Sequence, residues 1–253
     1  MKLSRRQAIR TLAAPAAFAL RQASAAQTPI RLVVLDVGGT IIEDRGDVPE
    51  ELRKALAKHS IAATPAEISA WRGASKREMV RHFVQRQSLP KGVDRDKLSA
   101  EIYREFSANL IAIYRTVPPI AGADDAIRTL RERGHLVAAT TGFDREIAGS
   151  IFRRLGWEKH FTAVISSDDV AQGRPSPYMI FHAMEAARVD RVAEVMAVGD
   201  TPLDLQAGTN AGVRAVVGVL TGAFNRERLA SEPHTHILAS VAEVPALVAK
   251  LTA

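Results

Sequence analysis

Four short stretches carry residue types and spacings that could do chemistry. The first is Asp36 followed by Val37-Gly38-Gly39-Thr40, an acid at the end of an apolar run and just before glycines. The second is Met196-Ala-Val-Gly-Asp200-Thr-Pro-Leu-Asp204, again an apolar run ending at an acid, with another acid four residues on. Oxygen-only ligands of this kind suit Mg²⁺, which keeps several waters and takes one or two carboxylates plus a substrate phosphate. The third is Thr140-Thr141-Gly142-Phe143-Asp144, where a hydroxyl followed by glycine amides can hold phosphate oxygens. The fourth is Gln172-Gly173-Arg174-Pro175-Ser176-Pro177, an arginine locked between glycine and prolines, able to face a carboxylate and a phosphoryl group together. Each stretch also has a plain structural meaning. Asp36 could cap the next turn, Thr141 could be ordinary loop chemistry, and Arg174 could make a surface salt bridge. Asp204 fits the acid of a Thr201-x-x-Asp204 capping box at a helix start. Asp200 has no such alternative.

The elements around these residues decide whether they can meet. Arg31 to Leu35 is a β-branched run of the kind that forms a strand buried on both faces of a parallel sheet. Ligands of open α/β sheets bind at the carboxyl edge, where Asp36 stands. Helical periodicity then covers 49–59, 65–71, 75–87 and 94–115, with a stripe of Leu98, Ile102, Phe106, Leu110 and Ile113. Thr116 to Gly122 reads as a rigid return linker. Beyond it strands over 136–140, 162–166, 195–199, 214–219 and 236–239 alternate with helices over 124–133, 144–155, 177–187, 202–211 and 241–251. This order predicts an α/β fold: a doubly wound parallel sheet, residues 30–45 and 117–253, with an all-helical cap, residues 46–116, inserted after the first strand.

Composition narrows the class. The chain has 253 residues, 47% of them hydrophobic, and no cysteine, which excludes disulfides, a thiol nucleophile and thiolate metal sites. Residues 1–26 read as a signal peptide: a basic head with Ser4-Arg5-Arg6, a short Ala-rich apolar run, and the small-residue context Ala23 to Ala26. The paired arginines resemble a twin-arginine signal, so the expected location is periplasmic or exported, with the cytoplasm the alternative. Five of the 34 lysines and arginines and none of the 28 acids lie in this leader, which leaves 29 bases against 28 acids. Nucleic-acid binding thereby loses its main support. No apolar run is long enough to span a bilayer.

Taken together, Asp36, Thr141, Arg174, Asp200 and Asp204 match in order the motifs of the haloacid dehalogenase superfamily, which residues 31–222 resemble. The resemblance implies an aspartate nucleophile at Asp36, a lid formed by the helical insertion, and Mg²⁺ held by Asp36, the Gly38 carbonyl, Asp200 and Asp204. It also implies phosphate oxygens held by Thr141 and Arg174, with Gly39, Thr40 and Gly142 at the substrate. Two departures narrow the branch. The usual second aspartate, two residues after the nucleophile, is Gly38, and the usual lysine of the third motif is Arg174. With Thr140-Thr141-Gly142 and Gly173-Arg174-Pro175, they resemble the phosphonoacetaldehyde hydrolase branch and its phosphonatase-like relatives. In that branch a cap lysine forms a Schiff base with the substrate aldehyde, and Gly73-Ala-Ser-Lys76-Arg-Glu78 makes Lys76 the candidate.

The implied function is Mg²⁺-dependent hydrolysis of a small phosphorylated substrate through an aspartyl phosphate on Asp36. The first alternative is cleavage of a carbon–phosphorus bond through a Lys76 Schiff base. A leaving alkoxide needs a proton that glycine at position 38 does not give, a loss of ~10²–10⁴ in rate; an enamine leaving group needs none, but needs Lys76. Ser75-x-x-Glu78 resembles a capping box, which places Lys76 in a first helical turn beside Arg72 and Arg77, where dipole and cations disfavour a charged amine. The second alternative is a non-catalytic phosphate-binding protein that has lost its acid. A homodimer is compatible with the sequence, which fixes neither oligomeric state nor substrate.

Overall fold

A computed structural model describes residues 29–252, and the leader assigned to residues 1–26 lies outside them. Strand β1 is Leu32–Asp36. Four helices follow: α1, Asp47–Lys58; α2, Pro65–Ser69; α3, Lys76–Gln85; and α4, Arg95–Ile113. The remainder alternates as α5 (Ala123–Glu132), β2 (Leu136–Thr140), α6 (Arg145–Leu155), β3 (Ala163–Ile165), α7 (Tyr178–Ala186) and β4 (Val195–Gly199). It ends with α8 (Pro202–Ala211), β5 (Ala215–Val219), α9 (Arg226–Ala230), β6 (His236–Leu238) and α10 (Val244–Thr252). Among the described residues no helix is long and apolar enough to cross a membrane.

The six strands form one parallel sheet in the order β3-β2-β1-β4-β5-β6. All five residues of β1, β4 and β5 are buried, as expected of strands covered on both faces. Side-chain alternation divides β1 between the two layers. Leu32 and Val34 pack with α7 and α8 residues such as Ala183 and Leu205. Val33 and Leu35 join Leu130 of α5, Ile147 of α6 and Val248 of α10. The α/β sheet expected from the sequence is therefore present.

The helices between β1 and α5 share that second layer. On α4 the expected stripe is realised by Ile102, Phe106 and Leu110, each 0% exposed, while Leu98 and Ile113 are only partly buried. Phe83 of α3 and Leu52 of α1 belong to the same apolar cluster as Leu35. Two side-chain ties fix α4 on the sheet layer: the Tyr103 and Ser107 hydroxyls both donate to Asp144, which caps α6.

Topology brings the motifs together. β1 lies between β2 and β4, with Asp36 in register with Thr140 and Leu35 with Val198. Adjacent strands run about 4.8 Å apart, so the strand-end residues Asp36, Thr140 and Asp200 converge at the carboxyl edge, where the order of connection reverses direction.

Candidate active site

Arg174 sits at the centre of the cluster and is 5% exposed, which rules out a surface salt bridge. Its Nη1 lies 2.7 Å from Asp36 Oδ1 and its Nε 2.9 Å from Asp204 Oδ1. Nη2 donates to the Thr140 carbonyl at 2.9 Å and hydroxyl at 2.8 Å, and Nη1 also reaches the Gly73 carbonyl at 3.3 Å. The fork geometry of a guanidinium suits these divergent acceptors, and an ammonium would not span them.

Asp204 is the capping-box acid expected from the sequence, and it also pairs with Arg174. Its Oδ2 accepts from the Thr201 amide at 3.0 Å and the Thr201 hydroxyl at 2.6 Å, a reciprocal capping box at the start of α8. Its Oδ1 faces Arg174, so both oxygens are engaged. Carboxylate oxygens of Asp36, Asp200 and Asp204 all lie within 4.8 Å of one another, and all three side chains are buried. Burial raises Asp36 to about 6 against the lowering pull of Arg174. Burial, then the charges of Asp36 and Asp204, raise Asp200 well above the usual carboxylate range. Buried, mutually repelling hard oxygen donors of this kind fit a divalent cation, whose charge would reverse those shifts.

The surroundings of Asp200 are shaped by glycines. A Cβ on Gly39, which has φ +84°, would stand 2.4 Å from Asp200 Oδ2, and one on Gly222 would stand 1.8 Å from the same atom. Thr40 donates to Asp200 Oδ1 at 3.2 Å. Thr221 donates to the Gly39 carbonyl at 2.6 Å, tying the loop after β5 to the loop after β1. Gly39 and Thr40 thus lie against Asp200 rather than on the cavity wall. Thr221 and Gly222 were not singled out from the sequence. Their one signal is a Thr-Gly pair just past a buried strand, the pattern that marks Thr141-Gly142. Because Gly222 has no left-handed φ, alanine there strains no backbone and acts only by displacing Asp200. Gly222→Ala is expected to raise the Mg²⁺ concentration for half-maximal activity about 10–100-fold, read from metal titrations of turnover.

A cavity adjoins Asp36, with about 40 Å³ open to the centres of water-sized atoms. That is room for about three such centres, at ~10–15 Å³ each. Its wall includes Gly38, Lys76, Tyr114, Thr141, Gly142 and Phe143, so Lys76 on α3 meets the strand-end residues. The segment before α3 lies close against the sheet edge. A Cβ on Gly142 would come 2.3 Å from the Ala74 carbonyl, one on Gly73 2.4 Å from the Thr201 hydroxyl, and the Lys76 amide donates to the Gly142 carbonyl at 3.0 Å. Lys76 is 6% exposed, its Nζ donating to the Ala74 carbonyl at 3.2 Å and lying 4.8 Å from the Phe143 ring centroid. Burial lowers its pKa to about 8, against the attraction of Asp36.

Two local expectations are corrected. Ser75 accepts from the Glu78 amide, but Glu78 does not complete a capping box; its Oε1 reaches across to the Gly173 amide at 3.0 Å. The cation that disfavours charge on Lys76 is Arg174 rather than Arg72 or Arg77. Arg72 is ion-paired with Asp44, and Arg77 lies over the Tyr103 ring, 3.5 Å from Asp168.

Comparison with known proteins shows the family. The chain is 32% identical over 210 residues to phosphonoacetaldehyde hydrolase of Bacillus cereus, covering 76% of each chain. Among solved structures it aligns with a phosphonoacetaldehyde hydrolase like protein from Oleispira antarctica at TM-score 0.76 and 20% identity, covering 89% of this chain and 94% of that one. It aligns with a hydrolase from Pseudomonas syringae at TM-score 0.77 and 16% identity, covering 88% and 100%; at these identities both likenesses are of fold. A model of the haloacid dehalogenase-like hydrolases matches residues 30–212. The chain belongs to the haloacid dehalogenase-like hydrolases and is an enzyme of that family.

Proposed function

We propose that this hydrolase cleaves the carbon–phosphorus bond of a small aldehyde-bearing phosphonate, with Asp36 taking the phosphoryl group and Lys76 holding the aldehyde carbon as an imine. One observation carries the proposal: Lys76 is buried in the same small cavity as Asp36, with its amine pulled down to about 8. The relatedness to phosphonoacetaldehyde hydrolase supports it, and the cavity size favours a substrate of a few heavy atoms.

The steps follow from the residues present. Lys76, as the free amine, adds to the carbonyl and expels water, giving a protonated imine. Arg174 holds Asp36 Oδ1 and leaves Oδ2 to attack phosphorus. The carbon–phosphorus pair flows into the iminium to give an enamine, so the leaving carbon needs no proton at that instant, in keeping with glycine at position 38. Thr141 and the positive Arg174 face the phosphoryl oxygens. Water then cleaves the aspartyl phosphate to phosphate and free Asp36, and the enamine takes a proton at carbon to become an iminium, which a second water hydrolyses to the dephosphonylated aldehyde and free Lys76. Asp36, Asp200 and the Gly38 carbonyl would hold a Mg²⁺, with Asp204 steadying Arg174 beside them, and the ion when bound offsets repulsion between carboxylate and phosphonate. Residues 46–116 would serve as a cap bringing Lys76 to the site.

A second reading is hydrolysis of a small phosphate ester, with Lys76 as an ammonium at the leaving oxygen; the neighbouring Asp36 charge, which favours that form, speaks for it. Borohydride separates the two. Reduction with phosphonoacetaldehyde present is expected to add the reduced two-carbon group to Lys76 and inactivate the enzyme. No adduct, with turnover of phosphate esters, would establish the second reading.

The pH profile gives another check. Imine formation needs uncharged Lys76, whose pKa is lowered to about 8, so the reactive fraction grows as pH rises through that value. An ascending limb near pH 8 is expected in kcat/KM for the aldehyde phosphonate and is expected to be absent for acetyl phosphate, which needs no imine.

A further inference from the structure

Tyr114 follows the last residue of α4 and lines the cavity, 3% exposed. Its hydroxyl makes no hydrogen bond to any described residue, unlike that of the buried Tyr103, which donates to Asp144. That hydroxyl is not one of the buried atoms sealed off without a partner, so it opens onto the cavity, where an acceptor of the substrate can reach it. The Tyr114 ring stands edge-on to Phe143, centroids 4.8 Å apart, and Lys76 Nζ lies 4.8 Å from the centroid of that same ring. Phenol and amine therefore border one small space. Two neighbouring oxygen groups already have partners: Asp44 pairs with Arg72 and accepts from the Gly46 amide, and the Thr141 hydroxyl accepts from the Phe143 amide. Burial, with the charges of Asp44, Asp47 and Asp36, holds the Tyr114 phenol well above its ordinary value, so it keeps its proton across the working range.

We propose that Tyr114 is a further catalytic residue, its hydroxyl binding the carbonyl oxygen of the substrate and protonating it as Lys76 adds. The proposal rests on the imine reading above. In the first step the nitrogen–carbon bond forms, the carbonyl pair moves onto oxygen, and that oxygen takes the Tyr114 proton. The new nitrogen then returns a proton to the phenolate, giving a neutral carbinolamine. In the second step Tyr114 protonates the hydroxyl, which leaves as water while the nitrogen pair forms the carbon–nitrogen double bond. Solvent reprotonates the phenolate, replacing the proton that the lysine ammonium released at the outset.

Tyr114→Phe keeps the ring and its contact with Phe143, and a thermal melt verifies that it folds. Wild type and variant are compared in two assays: borohydride trapping of phosphonoacetaldehyde on Lys76, and formation of aspartyl phosphate from acetyl phosphate. The expected result is trapping slowed about 100-fold, with phosphoryl transfer slowed far less. Equal slowing of both, or trapping within twofold of wild type, overturns the role of Tyr114 and leaves the imine reading standing. A wild-type enzyme that forms aspartyl phosphate but no adduct overturns the imine reading, and the role of Tyr114 falls with it.

Discussion

Replacing Asp36 by asparagine is expected to abolish Mg²⁺-dependent turnover, by at least about 10⁴-fold, without lowering the melting temperature. On the proposed mechanism the loss follows from removing the covalent nucleophile, which the rest of a preorganised site does not replace. The unchanged stability follows from electrostatics. Asp36 ionises only against burial and the neighbouring Asp204, so its charge is held at a cost in the metal-free protein. Asparagine keeps an oxygen for Arg174, which also keeps Asp204 and the Thr140 carbonyl. Activity assays paired with thermal melts at pH 8 without metal check both halves. A fall of more than about 3 °C, roughly 1 kcal/mol for a chain of this size, would show that Asp36 serves first as a structural counter-ion.

The second large effect is a gain. Gly38→Asp is expected to raise hydrolysis of alkyl phosphate monoesters by ~10²–10⁴. A Cβ at position 38 would meet only the Phe143 ring, at 3.8 Å, which is ordinary contact, and Gly38 is not among the residues with left-handed φ. The new carboxyl group would enter the cavity beside Asp36 and supply the proton that an alkoxide leaving group needs. Acetyl phosphate, whose leaving group needs no proton, should show no comparable gain. The added negative charge near Lys76 would also favour its ammonium form, so cleavage of the aldehyde phosphonate should fall as ester hydrolysis rises. An unchanged ratio of alkyl to acetyl phosphate turnover would contradict this account.

The sheet was legible because its strands are short apolar runs bounded by turn residues. The expected limits of β2, β4 and α8 coincide with those observed. Helix α9 escaped because five residues show too little of a 3.6-residue period to register. The meeting of Asp36, Thr141, Arg174, Asp200 and Asp204 was readable because each ends or follows a parallel strand or precedes a helix. Contacts that depend on one loop approaching another were not. Gly222 matters through a missing side chain, Glu78 chooses Gly173 over its own helix, and Arg72 is neutralised by Asp44. None of these carries a local pattern, since each partner lies in a different segment of the chain.

Arg174 bonds at once to the end of β1, the end of β2, the turn before α3 and the first turn of α8. Four stretches of backbone must be home before its charge is fully matched, and any one of them leaving exposes a buried cation to unpaired surroundings. Opening of any single segment therefore leaves that cation short of a partner and ties the integrity of the site to four parts of the chain at once. Local opening at any of the four is thereby costlier than that segment's own contacts would make it.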